Sequence, residues 1–142
     1  MDVDRSIGAL KEILENWDGV VDEILDSLMG DFVGMEQERI FSGANADGSM
    51  IEPEYTPFTK RVKRSKGQPA DRVTLFDTGR FYDSMFAERS GDVVLFDATD
   101  NKRDKLVRKY GDGFFGLSDT QIDEARGRVN EMMSEYILSR MG

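Results

Sequence analysis

Val73-Thr74-Leu75-Phe76-Asp77-Thr78-Gly79-Arg80-Phe81-Tyr82-Asp83-Ser84 is the stretch on which the chain turns. Val73 and Leu75, alternating with Thr74, predict a short strand. Asp77-Thr78-Gly79 breaks it. Phe81, Tyr82, Met85 and Phe86 then fall at helical spacing, so a short helix is expected to open here. Asp77 or Thr78 is placed to cap it, because a side-chain oxygen at that position accepts an orphan backbone N–H of the first turn. Before this corner lie an amphipathic helical region and a polar, basic segment. After it come a hairpin and two further helices.

The upstream helical region is the clearest periodic signal. Ile7, Leu10, Ile13, Leu14, Trp17, Val20, Val21, Ile24, Leu25, Leu28 and Phe32 follow a 3.6-residue period, and Glu12, Glu15, Asp18, Asp22, Glu23 and Asp26 occupy the opposite face. One long helix is expected, with Ser6 as its cap and a bend or end at Gly30 or Gly34. Met35, Ile40 and Phe41 then continue it. Its acidic polar face argues for core packing rather than for a membrane-surface helix, which would carry Lys and Arg.

Residues 41–72 hold all three prolines together with Ser42-Gly43, Asp47-Gly48 and Gly67, which are turn signals. A loop of this length inside a small domain is either a functional arm or an ordered wrap across the core. A helical turn is expected at residues 57–62. Lys60, Arg61, Lys63, Arg64 and Lys66 lie within seven residues. A solvated charge run is the plain reading; contact with phosphate or with an acidic protein surface is the sharper one. No aromatic residue interleaves the run, which argues against reading of nucleic-acid sequence.

Downstream, Met85–Glu88 and Val93–Phe96 flank Arg89-Ser90-Gly91-Asp92, which is hairpin chemistry. Residues 97–101 read as a polar loop. Residues 102–110 read as a short helix stopped by Gly111, with Leu106 and Tyr110 inward. Gly111-Asp112-Gly113 is a turn, and Phe114-Phe115 an apolar anchor or brief strand. The last helix opens with Ser118 and Gln121 as a capping box, with Leu117 and Ile122 as a hydrophobic staple. Its stripe runs Ile122, Ala125, Val129, Met132, Met133, Tyr136, Ile137, and it ends near Arg140.

These elements predict one α+β domain of 142 residues. An N-terminal helical region (1–40), an extended basic arm or loop (41–72) and a strand, hairpin and C-terminal helix core (73–142) make it up. The long N-terminal helix and the C-terminal helix are expected to pack on a small antiparallel sheet. The net charge of −9 is unevenly spread. It is −11 over residues 1–54, +5 over 55–72, balanced over 73–111 and −3 over 112–142. This chain is acidic with one basic segment, which argues against wholesale nucleic-acid binding.

The absence of Cys and His removes thiol and Ser/His/Asp chemistry, disulfides and His or Cys metal sites. No apolar run approaches the ~20 residues that span a bilayer, and the N-terminus carries no apolar signal core. Leu75-Phe76-Asp77-Thr78-Gly79 matches the active-site pattern of aspartic proteases, in which two carboxylates share a proton. Against that reading stand the helical character of the chain, Arg80 where a small residue is wanted, and the lack of a glycine-rich flap. Asp97, Asp100 and Asp104 cluster, but without the spacing, central glycine or final Glu of a calcium loop. No cofactor and no catalytic residue are expected; the chain reads as a structural or binding protein.

In order along the chain come Asp47-Gly48, Thr59-Lys60, Leu75-Phe76-Asp77-Thr78-Gly79-Arg80-Phe81 with Ser84 beyond, a hairpin, Tyr110-Gly111, and Phe115-Gly116-Leu117-Ser118 opening the last helix. This series resembles the virion-morphogenesis or tail-completion proteins of tailed phages, the Mu-type group and its neck-protein relatives, over roughly residues 40–140. Phe81 stands where that pattern has leucine, Gly116 directly follows Phe115, and Ser49-Met50-Ile51 replaces a tryptophan.

The resemblance implies a ring-forming subunit of six or twelve copies in the virion neck. It would be made in the host cytoplasm, touch the connector or portal and tail proteins, meet packaged DNA non-specifically, and have no membrane partner. The motif residues Asp77, Thr78, Gly79, Ser84, Tyr110, Gly111, Phe115, Gly116, Leu117 and Ser118 would then be structural, and the basic run would line an interface or the DNA channel. A reading of a different class is a small acidic regulator that binds a host protein, or a DNA mimic.

Overall fold

The computed structural model describes residues 3–141. The chain is α+β: helices packed on a two-stranded antiparallel sheet, with a long helix at the C-terminus. The N-terminal region forms three helices in near-continuous succession, α1 (Val3–Glu15), α2 (Trp17–Ser27) and α3 (Met29–Phe41). The single expected helix is therefore corrected, and its breaks are not at glycine. Asn16 leaves helical geometry at φ −109°, ψ 18° while its side-chain amide donates to the Glu12 carbonyl, an alternative partner that loosens the turn. At Leu28 the turn tightens, its N–H donating to the Leu25 carbonyl at 3.1 Å. Gly30 and Gly34 lie inside α3. The side chain of Ser6, the expected cap, lies outside the described residues.

Residues 42–72 are an ordered wrap. Ile51, Tyr55 and Ala70 are buried, and Ala44 and Met50 form an isolated bridge. Within the wrap, α4 (Pro57–Ser65) is longer than the one turn expected. Thr56 caps it, accepting from the Thr59 N–H at 3.2 Å, and Pro57 presets the first turn.

Val73–Leu75 is not a strand. The Thr74 N–H donates to the Tyr55 hydroxyl at 3.0 Å, and the Thr74 carbonyl accepts from the Tyr82 hydroxyl at 2.6 Å. Side chains thus satisfy the backbone groups that a ladder would have used. Leu75, at φ +56°, turns the chain in a region L-residues seldom visit. The corner ends in one helical turn, α5 (Arg80–Asp83).

The hairpin β1 (Met85–Ser90) and β2 (Val93–Ala98) pairs Met85 with Ala98 and Ser90 with Val93. A two-residue Gly91-Asp92 turn joins the strands, Gly91 at φ +60°. Then follow α6 (Arg103–Tyr110) and the 23-residue α7 (Asp119–Met141).

Two apolar clusters form the core. Ile40, Ile51, Val73, Leu75, Phe81, Met85 and Phe114 make one, under the wrap and the corner. Val20, Ile24, Leu28, Phe32, Met35 and Ala125 make the other, between the N-terminal helices and α7. Each fully buried side chain of this size contributes about 1.5–3 kcal/mol. Helix α3 serves both clusters, Phe32 and Met35 facing one and Ile40 the other. Among the described residues no helix is long and apolar enough to cross a membrane.

Candidate functional site

The motif stretches singled out in the sequence converge on the first cluster. Gly79 occupies the cap position of α5 at φ +92° and makes no side-chain cap bond. The expectation that Asp77 or Thr78 caps this helix is corrected: Asp77 is drawn elsewhere, and Thr78 Oγ1 receives the Arg80 N–H only at 3.4 Å. The Asp77 carboxylate takes Lys66 Nζ at 2.9 Å on one oxygen and Lys102 Nζ at 3.4 Å on the other. The hydrogen bond from Lys66 and the two ammonium charges hold its pKa below the usual carboxylate range. A carboxyl group held ionised in this way is a poor proton donor, and its neighbours here are lysines rather than a second acid. It ties the end of α4 and the start of α6 to the corner between them.

Ser84 closes the other side of the corner. Its hydroxyl donates to the Phe81 carbonyl at 2.8 Å and accepts the Asp100 N–H at 3.0 Å. Tyr110 packs against the cluster, and burial pushes its phenol pKa up. Gly111, at φ +79°, ends α6. Phe115 stacks beside Phe114 at 4.4 Å between centroids, with the Arg103 guanidinium over its ring. Ser118 caps α7 reciprocally with Gln121, as a capping box requires: Gln121 N–H to Ser118 Oγ at 3.2 Å, Ser118 N–H to Gln121 Oε1 at 3.0 Å. Leu117 packs against the second cluster, whereas its expected staple partner Ile122 is exposed.

The five residues of the basic run do not act alike. Lys63 is buried, donates to the Phe76 carbonyl and sits over the Tyr55 ring. Lys66 is held by Asp77, and Lys60 approaches Glu54 at 3.7 Å. Arg61 and Arg64 are exposed, and among the described residues their side chains have no partner. Three cations of the run are thus spent on the fold, and two are presented to solvent.

Sequence reasoning missed a buried polar node at the junction of the two clusters. Glu36 and Arg39 project from α3 among Phe32, Met35 and Ile40. The Arg39 guanidinium donates to the carbonyls of Phe114, Gly116 and Ala44 and to Gln121 Oε1. Glu36 accepts the Gly116 N–H at 2.7 Å on one oxygen, while its other oxygen is buried without a partner. Gln121 also donates to the Met35 carbonyl at 2.6 Å. Burial pushes the Glu36 carboxyl up to about 7, against the opposing pull of the Gly116 N–H and Arg39. Opposite charges three apart on an apolar stripe were the available signal.

Comparison with protein families, with curated proteins and with solved structures found no match. No cluster of acidic residues able to hold a metal ion occurs among the described residues. Asp97, from the expected acidic loop, is paired with Arg103 at 2.7 Å.

Proposed function

We propose that this chain is a structural subunit of a tailed-phage virion neck, acting in tail completion or head–tail joining as a member of a ring. The supporting observation is the convergence of the resembling stretches. The Asp-Thr-Gly corner, Ser84, the Tyr110-Gly111 stop and the Phe115–Ser118 entry all brace one core and the start of α7. In the resembling proteins these motifs define a fold rather than a reaction, and here each has a positioning role. The two-signed surface supports assembly, since the acidic N-terminal helices and the free arginines of α4 offer opposite charges. Neighbouring connector, portal and tail proteins are the partners this reading requires, with packaged DNA met non-specifically.

The test is removal of the gene from the phage that carries it, followed by electron microscopy of the lysate. Full heads and unjoined tails, or tails with aberrant ends, are the expected result. Normal infectious particles would overturn the reading in favour of the acidic regulator, whose support is the ridge of Asp18, Asp22 and Asp26 along α2.

A further inference from the structure

The N-terminal helices carry two apolar stripes, one buried in the core and one left largely open, with only Trp17 of the open stripe packed against the second cluster. Ile13, Val20, Ile24 and Leu28 are buried in the core. Ile7, Leu10, Leu14, Trp17, Val21 and Leu25 recur at spacings of three or four along another face. Ile7, Leu10 and Leu14 are exposed, Leu14 at 70%. Trp17, Val21 and Leu25 are half-buried and line, with Val94 of the hairpin, an open groove of about 800 Å³. Alongside run Asp18, Asp22 and Asp26. Arg89 of β1 reaches Asp22 at 2.9 Å and Asp26 at 3.2 Å, whereas Asp18 and Asp92 at the groove have no partner among the described residues.

This seam is not suited to pairing with the same seam of another copy. Pairing two such helices would set Glu15, Asp18 and Asp22 of one copy against the same acids of the other, and like charges at an interface are costly. The occupant must be apolar and basic. Helix α4 has that character: Phe58 is 68% exposed, and Arg61 and Arg64, three and six residues on, share its solvent side. Helix α4 borders the first cluster and the groove borders the second, so the two patches are distinct surfaces. A contact between distinct patches is heterologous, and it closes into a ring or runs on as a filament.

We propose that helix α4 of a second copy seats in the groove, Phe58 against Trp17, Val21 and Leu25, with Arg61 and Arg64 facing Asp18 and Asp92. The contact deepens the ring reading above, but the charges and exposures that carry it do not depend on a virion.

Sedimentation velocity of the full-length chain over a concentration series tests it, using two charge-reversed variants. One is Arg61→Glu with Arg64→Glu; the other is Asp18→Lys with Asp92→Lys. The unaltered chain is expected to associate, and to do so less at high salt. Each variant alone should raise the concentration needed for association by about tenfold or more, and the two mixed should associate again. All four residues are exposed, and circular dichroism checks that each variant folds. A chain that stays monomeric throughout, a variant that associates as before, or a mixture that stays apart would overturn the proposal. Association that follows this pattern in a chain whose loss leaves normal phage particles would refute the neck role alone. A monomeric chain whose loss unjoins heads and tails would refute the contact alone.

Discussion

Asp77 sits in the most chemically suggestive tripeptide of the chain, yet its surroundings make it a tie between segments. Its two ion pairs are half-exposed, and pairs of that kind contribute ~0–1 kcal/mol. Asp77→Asn is therefore expected to lower the unfolding free energy in urea by less than about 1 kcal/mol, with an unchanged circular dichroism spectrum. Glu36 is the opposite case, silent in the sequence and consequential in the fold. Its carboxyl stands near 7 in the folded chain against 4.5 as the ordinary value. The folded state thus holds a proton that the unfolded state releases between those two values. The stability associated with that proton is full below pH 4.5 and is lost as pH rises through 7, about 3 kcal/mol in all. Urea denaturation from pH 4.5 to 8 should show this decline. Glu36→Gln, which keeps an acceptor for the Gly116 N–H, should flatten it.

At the scale of elements, local signals worked where a side chain acts on its own backbone. The Ser118–Gln121 box, a hairpin connection within residues 89–92 and the Gly111 stop were all legible, because each depends on residues within a few positions, although β1 runs on to Ser90 and the turn is only Gly91-Asp92. Ser118→Ala is expected to cost about 1 kcal/mol in thermal or urea unfolding through loss of the α7 cap. The Val73–Leu75 strand failed for a complementary reason. Its alternating pattern is that of a strand, but its hydrogen-bond partners are the hydroxyls of Tyr55 and Tyr82, 19 and 8 residues away. The N-terminal periodicity was right about Ile13, Val20, Ile24, Leu28 and Phe32, which are buried, but it also counted Ile7, Leu10 and Leu14, which are exposed, and it was blind to the breaks. Those breaks come from the Asn16 amide and a tight turn at Leu28, not from the glycines.

At the scale of the whole molecule, two clusters are joined by α3 and by the polar node on it. Arg39 holds the chain at Ala44, Phe114 and Gly116 with a single guanidinium. Removing it leaves the carbonyls of Ala44, Phe114 and Gly116 without its donors and takes a positive charge from the neighbourhood of Glu36. Arg39→Ala is expected to cost at least about 1–3 kcal/mol, the penalty of leaving the buried Phe114 carbonyl unsatisfied. Because the node sits at the junction, its loss should also broaden unfolding or split it when followed by tryptophan fluorescence, which reports the second cluster through Trp17.

The order of residues alone determined the α+β class, the hairpin, both ends of the C-terminal helix, the uneven charge and the exclusion of Cys and His chemistry. Those properties follow from composition, from periods of two and 3.6, and from contacts spanning a few residues. Only the tertiary structure decided that the 42–72 segment wraps the core. Only it separated the basic run into three cations bound within the chain and two left to solvent, and one N-terminal apolar stripe from the other. Each of these depends on which distant groups meet, and a buried ammonium or guanidinium finds its partner across the fold rather than along the chain.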